Sequence, residues 1–227
     1  MSRSNTHRTL ATLMHAGYAR RNAATGTYGI TMKSLALGLS DMALDGLQQV
    51  APGFLATLAH ASGETAHLSE LRGSEVCYLD KIDSRQPVRA YSEIGGFAPA
   101  HAVATGKALL SAQANVLAAL PATLPRYTAN TRVDRQALRA ELEAAARNGY
   151  ATNRGEWREG VGGLAAVVRD AGGKPVAALG LSGPLDRLTD ERLRALVPLV
   201  MDLAQRLSET LRHLADIPSA TATDAGR

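Results

Sequence analysis

Cysteine is almost missing from this chain: Cys77 stands alone among 227 residues. A single thiol excludes an internal disulfide and any metal site built from several cysteines. The six histidines (His7, His15, His60, His67, His101 and His213) show no H-E-x-x-H or comparable ligand spacing, so no metal is expected. No apolar run is long enough to span a membrane, and the first residues carry no signal peptide. The expectation is a cytoplasmic protein with no membrane partner. Strong charge of one sign is lacking too. The formal balance of +4 permits nucleic-acid binding without establishing it.

Catalytic signatures come close and then fail. Gly160-Val161-Gly162-Gly163-Leu164-Ala165 fits G-x-G-x-x-A, but charged residues precede it and a strand pattern follows, the reverse of a dinucleotide site. Gly106-Lys107 suggests a P-loop, yet His101 stands where the first glycine belongs and Ala108 where a magnesium-binding hydroxyl belongs. Gly180-Leu181-Ser182-Gly183-Pro184 misses the nucleophile elbow because Pro184 replaces its last glycine. Cys77 lies between Val76 and Tyr78 in a strand pattern and reads as a buried structural thiol. No enzyme and no cofactor are expected.

What is present is the composition of a globular protein. Hydrophobic residues make up 45% and charged residues 20%, enough to bury the core of one or two domains. A first helix reads from Ser4, its cap, with Leu10, Leu13 and Met14 as an apolar stripe and Gly17 as the stop. Residues 18–21 and 27–30 flank a turn and read as a basic hairpin. Met32 to Leu47 reads as a connector helix, and a separate helix runs from Val50 to Ala61 with Pro52 in its first turn. Strands are expected at 64–71, 75–80 and 87–94, then a break through Gly95 to Pro99. Helices follow at 102–111, 115–120 and 134–147. Thr189 caps a last helix with Leu193, Leu196, Val200, Leu203, Leu207 and Leu211 as its stripe. Pro198 inside it should kink it or shift its start.

The stretch GEWREGVGGLAAVVRDAGGKPVAALGLSGP, Gly155 to Pro184, organises the rest. Two apolar runs, 164–168 and 175–181, flank a Gly172-Gly173 turn and make a β-hairpin. Ala165, Ala166, Ala177, Ala178 and Gly180 are small, which leaves room above one sheet face. Strands, helices, then strands and a closing helix give an α+β domain with a largely antiparallel sheet.

Three blocks together, PAHAVATGKALL at 99–110, LPRYT at 124–128 and the Gly155–Pro184 stretch, resemble the effector domain of IclR-type bacterial transcriptional regulators. The resemblance covers residues 2 to 211. It implies a six-stranded sheet similar to GAF and PAS sensors, with a ligand cavity on one face. It also implies that a small carboxylic acid is held at positions corresponding to Ala104, Thr105, Asn153, Gly163, Gly180 and Ser182. Apolar contacts would fall at Tyr91, Ala98 and Val161. Asn153 stands where the family can carry an acid, Gly163 where a larger residue can occur, and Gly180 where a hydroxyl can occur. Smaller side chains at these places imply a wider pocket and a larger, aromatic acid. The start of the 102–111 helix supplies free backbone donors and a dipole suited to a carboxylate. None of these candidates is cationic, so the site should rely on hydrogen bonds more than on ion pairing. A leucine at Gly180 should fill the cavity without disturbing the fold. Trp157, Arg158 and Glu159 form a charged-aromatic patch that reads first as a subunit contact, with a pocket lid and a solvated loop as the other readings.

The first helix and basic hairpin resemble the recognition helix and wing of the same family's DNA-binding domain. Ser4, Asn5, Thr6 and Arg8 would lie nearest the bases of double-stranded DNA, with Arg20 and Arg21 nearest the phosphates. Earlier supporting helices do not precede this helix in the sequence, so the expectation is a helix-turn-helix cut short. The implied organisation is a partial winged helix-turn-helix at 1–31, a connector at 32–48, an effector-binding domain at 49–215 and a disordered tail at 216–227. A homodimer or homotetramer is expected. The competing reading is a free-standing small-molecule sensor that acts through protein partners and never touches DNA.

Overall fold

A computed structural model describes residues 3–22, 25–31, 42–115, 117–118 and 120–215. The chain divides into two units, Met1–Gly46 and Leu47–Arg227. In the first, α1 (Arg3–His15) begins one residue ahead of Ser4, which therefore lies inside the helix rather than capping it. Its C-terminus closes on Gly17 at φ 76°, with Tyr18 N–H donating to Leu13 O and Gly17 N–H to Met14 O. That is the Schellman pattern, which needs the left-handed residue glycine supplies. Strands β1 (Ala19–Arg21) and β2 (Tyr28–Ile30) pair antiparallel, Arg20 opposite Gly29. Leu13 and Met14 remain about two-fifths exposed, at 40% and 39%.

Helix α2 runs unbroken from Met42 to Ser62. This corrects the division into a connector ending at Leu47 and a second helix starting at Val50. Pro52 sits inside α2, not in a first turn. The carbonyl it leaves without a partner belongs to Gln48, on the exposed face, where water can serve it. The remaining connector residues, 32–41, and the tail, 216–227, lie outside the described residues.

The second unit holds a six-stranded, wholly antiparallel sheet in the order β5-β4-β3-β8-β7-β6. Its strands are β3 (Thr65–Arg72), β4 (Glu75–Ile82), β5 (Phe97–Pro99), β6 (Ala151–Arg154), β7 (Val161–Arg169) and β8 (Pro175–Pro184). The expected hairpins at Gly73 and Gly172-Gly173 are both present. The expected strand at 87–94 is not. That segment alternates in burial but pairs with nothing as a ladder, and the edge strand is β5, inside the predicted break. Gly95 and Gly96 explain the switch, since their backbone bonds Tyr78 before the chain reaches Phe97. Strand β6 was not anticipated; it is too short to show a pattern.

Helix α3 (Ala104–Ser111) follows a separate 3-10 turn, Ala100–Ala102, so the expected single helix from Ala102 is split at Val103. No helix spans the described residues of 115–120; they form turns. Helix α4 (Arg135–Asn148) is capped by Asp134, whose carboxylate accepts from Ala137 N–H at 2.6 Å, and ends on Gly149 at φ 81°. Helix α5 (Asp190–Ala215) keeps its expected start, with Pro198 inside it and the orphaned Arg194 carbonyl on the exposed face.

Register sorts the sheet into two unlike faces. Ala66, Leu68, Leu164, Val168, Leu179 and Leu181 share one face, which α5 covers with its buried stripe Leu193 to Leu211. Each leucine buried there contributes about 1.5–3 kcal/mol. Thr65, His67, Ser69, Asn153, Gly163, Gly180 and Ser182 share the other, which α3 and α4 cover through a cluster of alanines and leucines.

Candidate functional site

Helix α3 reaches the small-residue face because two glycines let it. A side chain on Gly106 would place its Cβ 2.3 Å from Ala100 O, so the helix could not pack against the 3-10 turn. Across the sheet, the Cβ position of Gly163 lies 3.4 Å from Ala104 Cβ. The helix start is preceded by extended Val103 and has no side-chain cap. Its first N–H groups and dipole are thus available to a negatively charged group.

Beside that start lies a cavity of about 280 Å³. Tyr78, His67, Ser182, Gly163 and Asn153 form its floor, one from each of the neighbouring strands β4, β3, β8, β7 and β6. Val103 and Ala104 form a wall; Arg89, Ala90 and Tyr91 close one side, and Trp157, Arg158, Glu159 and Val161 the other. The size suits a small molecule at the low end of ligand pockets. Two larger hollows, about 610 and 800 Å³, are shallower and lie on the outer surface around α4.

Six of the nine residues expected at an effector site line this cavity: Tyr91, Ala104, Asn153, Val161, Gly163 and Ser182. Ala98 does not; it is fully buried in the core behind. Thr105 and Gly180 do not line it either; they pack against each other. A Cβ on Gly180 would fall 2.8 Å from both Ala165 Cβ and Leu164 O and 3.0 Å from Thr105 Cγ2, so it meets packed atoms rather than open space. The expectation that leucine there would fill the cavity and spare the fold is therefore corrected. The expectation of a site without cations changes as well, since Arg89 and Arg158 stand at the mouth, where sequence reasoning missed them. Arg89 sits in a segment read as a strand; Arg158 was in the patch read first as a subunit contact.

The floor is electrically neutral. Burial, with Lys81 nearby, lowers the His67 imidazole to about 4. Burial pushes the Tyr78 hydroxyl up to about 12, and the two rings meet edge to face at 5.1 Å. Asn153 Oδ1 accepts from Glu156 N–H at 3.0 Å, which leaves its NH₂ as the donor for the cavity.

A buried ion cluster holds the Trp157 loop. Lys107, 1% exposed, donates to both Glu156 oxygens at 2.8 Å and to Glu141 Oε1 at 2.6 Å. Burial raises the Glu156 carboxyl, an effect that Lys107 offsets only in part. Thr131 Oγ1 donates to Glu156 O at 2.6 Å, and Thr128 Oγ1 to Gly155 O at 2.7 Å. His101 Nε2 meets Pro125 O at 3.1 Å. Residues 99–110, 124–128 and 155–184 are thus bonded to one another around a single cavity. Cys77 is half-exposed rather than buried, and burial raises its thiol, which argues against a nucleophile. Among the described residues, no group of three His, Cys, Asp or Glu could hold a metal ion, and no helix is long and apolar enough to cross a membrane.

The first unit presents the side chains of Thr6, Arg8, Arg20 and Arg21 at the surface. The Arg21 guanidinium carbon lies 5.9 Å from the Tyr28 ring centroid. The side chains of Ser4 and Asn5 lie outside the described ones.

Comparison with known proteins agrees with this architecture. Residues 42–209 match the family described as bacterial transcriptional regulator IclR, C-terminal. The chain is 32% identical over 218 residues to the HTH-type transcriptional regulator XynR of Escherichia coli strain K12, covering 95% of this chain and 86% of XynR. The crystal structure of Thermotoga maritima IclR superposes with a TM-score of 0.71 at 26% identity, over 93% of this chain and 87% of that one. An IclR homologue from Microbacterium hydrocarbonoxydans, complexed with 4-hydroxybenzoate, superposes with a TM-score of 0.77 at 27% identity, over 94% and 87% of the two chains. These relatives are transcriptional regulators or their homologues, not enzymes. Matching across nearly its whole length, the chain belongs to the IclR family of bacterial transcriptional regulators.

Proposed function

We propose that this chain is a ligand-responsive, DNA-binding regulator whose effector is a small organic carboxylic acid with an aromatic ring. The observation that carries the reading is the cavity at the uncapped start of α3. There, backbone donors, the Asn153 amide and the Ser182 hydroxyl would take the carboxylate, with Arg89 and Arg158 drawing it to the mouth. Tyr91, Trp157 and Tyr78 offer ring faces and edges to an aromatic body. Gly163, Val161 and Ala104 would shape the slot, while Thr105 and Gly180 pack against each other outside its lining. The 4-hydroxybenzoate held by the Microbacterium homologue supports this class of ligand.

On the same reading, Ser4, Asn5, Thr6 and Arg8 of α1 approach bases in double-stranded DNA, and Arg20 and Arg21 the phosphates. A homodimer or homotetramer would match two-fold operator symmetry, and effector binding would shift the populations of its DNA-competent states. A thermal-shift screen against carboxylic acids tests the effector arm. Binding at a hundred times Kd should add about 2.7 kcal/mol to stability. A gel shift with DNA upstream of the gene, with and without the acid found, tests the DNA arm. An effector that binds without altering any DNA complex would favour a sensor acting through protein partners.

A further inference from the structure

Three buried polar atoms on the small-residue face lack a hydrogen-bond partner: His67 Nδ1, Ser69 Oγ and Thr105 Oγ1. An unmatched buried donor or acceptor costs about 1–3 kcal/mol, so three neighbouring ones need a reason. They are neighbours by register. His67 pairs with Gly180, Thr105 Cγ2 lies above Gly180, and Ser69 follows His67 by two residues on the same side of β3. Of the three, His67 lines the cavity, and it is only 5% exposed.

The two ends of the cavity therefore differ in kind. At one, Ala104 opens α3 above Gly163 of β7, with uncapped N–H groups. At the other, His67 of β3 and Tyr78 of β4 present uncharged hydrogen-bonding groups. Two strand spacings separate β7 from β3, about 9–10 Å. An acid of two or three carbons held at α3 cannot reach His67. A longer acid reaches it, and a bare hydrocarbon end would leave Nδ1 as unmatched as before.

We propose that the effector carries, at the end remote from its carboxylate, an uncharged hydrogen-bonding group such as a hydroxyl, and that His67 selects it. The inference rests on the effector reading above and narrows its ligand class. A second carboxylate is disfavoured at this end, because His67 and Tyr78 are uncharged, Lys81 is already paired with Asp83 at 3.0 Å, and Arg89 and Arg158 are solvent-exposed.

The test uses matched pairs titrated calorimetrically against the full chain: 4-hydroxybenzoate with benzoate, and 6-hydroxyhexanoate with hexanoate, plus adipate. In at least one pair the hydroxy acid should bind roughly tenfold or more tightly than its parent, and adipate should bind more weakly than 6-hydroxyhexanoate. In His67→Phe, which keeps a ring against Tyr78, that ratio should fall below about threefold with no loss of melting temperature. Ser182→Ala should weaken both members of a pair and keep their ratio. Equal affinities within both pairs overturn the proposal while leaving acid binding intact. A full ratio retained by His67→Phe removes His67 from the role, and adipate binding best contradicts the neutral end. If no acid of the five binds, the effector reading fails and this inference goes with it.

Discussion

The two faces of the sheet are built on opposite policies. One is closed by leucine and valine against the long stripe of α5, and its side chains find their contacts in hydrocarbon. The other is made of glycine, alanine, serine, threonine, asparagine and histidine, and meets the start of α3 at Gly163 and Gly180. A face filled by large side chains has no room for a ligand; one kept small has room, but must find its cohesion elsewhere. In this protein the substitute is the Lys107–Glu156–Glu141 cluster beside the cavity. The cavity sits on the face made of small side chains.

The sharpest way to break this comparison is to remove Lys107. Lys107→Met leaves Glu156 buried without a cation, its carboxylate keeping only the Arg154 N–H, and should cost about 3–5 kcal/mol in chemical denaturation. Replacing both, Lys107→Met with Glu156→Leu, should restore most of that stability. Effector affinity should stay impaired in the double variant, because Trp157, Arg158 and Glu159 lose their anchor. Full recovery of affinity would show that the cluster supports the fold and not the loop.

On the opposite face, Leu179→Ala should cost about 2–5 kcal/mol through lost burial and a cavity. The affinity of the folded protein for its effector should remain unchanged. If affinity fell along with stability, the faces would be coupled and the comparison too simple.

How much of this was legible beforehand follows from the same contrast. The leucine face was read almost completely, since Leu193 to Leu211 and the hairpin around Gly172-Gly173 carry strong periodicity. The helix bounded by Asp134 and Gly149 was equally plain, because its caps are local chemistry. Helix boundaries failed at Ser4, in α2 and at 115–120, and further failures lie at the cavity. Residues 87–94 read like a strand but pair with no ladder, and the edge next to β4 is taken by β5. Arg89 carries no signal of its own there, and Tyr91, two residues on, was placed at the cavity only through the family resemblance. Lys107 was read only as part of a failed P-loop; its partners Glu141 and Glu156 are 34 and 49 residues away, and such pairing leaves no local pattern. Gly180 was placed on the correct face, but register alone cannot say whether a glycine faces space or a neighbour. The three sequence blocks were legible as a set, and their mutual bonds through His101, Thr128 and Lys107 give the physical cause.

Acid should weaken the polar face selectively. Unfolded histidine titrates near 6.5, whereas His67 in the folded protein does so at about 4. Between these values the unfolded chain binds more protons, so stability falls as pH drops from 6.5 towards 4 and is fully present above 6.5. At pH 5 the loss from this group should be about 2 kcal/mol. Lys81 and the edge-on Tyr78 ring are its neighbours, with Gly180 opposite in register, and none of these is a carboxylate that could rescue the cation. Urea unfolding at pH 7 and pH 5, with His67→Phe as the control, isolates the effect. A variant that loses as much stability as the wild type would locate the acid sensitivity elsewhere.

The smallest expected effect is the most informative about why this face stays polar. Thr105 Oγ1 is buried without a hydrogen-bond partner, on a residue only 1% exposed. Thr105→Val keeps the shape of the side chain and removes that oxygen. In the empty protein the substitution should be stabilising by about 1 kcal/mol, since an unmatched polar atom disappears. In the presence of effector the sign should reverse. The hydroxyl belongs to the second residue of α3, whose Cγ2 stands over Gly180, close enough to the helix start for a bound carboxylate or an accompanying water to match it. Removing it should then weaken binding by up to the 1.5–3 kcal/mol (roughly) of a hydrogen bond to a charged group. A gain in melting temperature together with a weaker affinity would assign the stored cost to function. A gain with unchanged affinity would place Thr105 in the packing, not in contact with what the site binds.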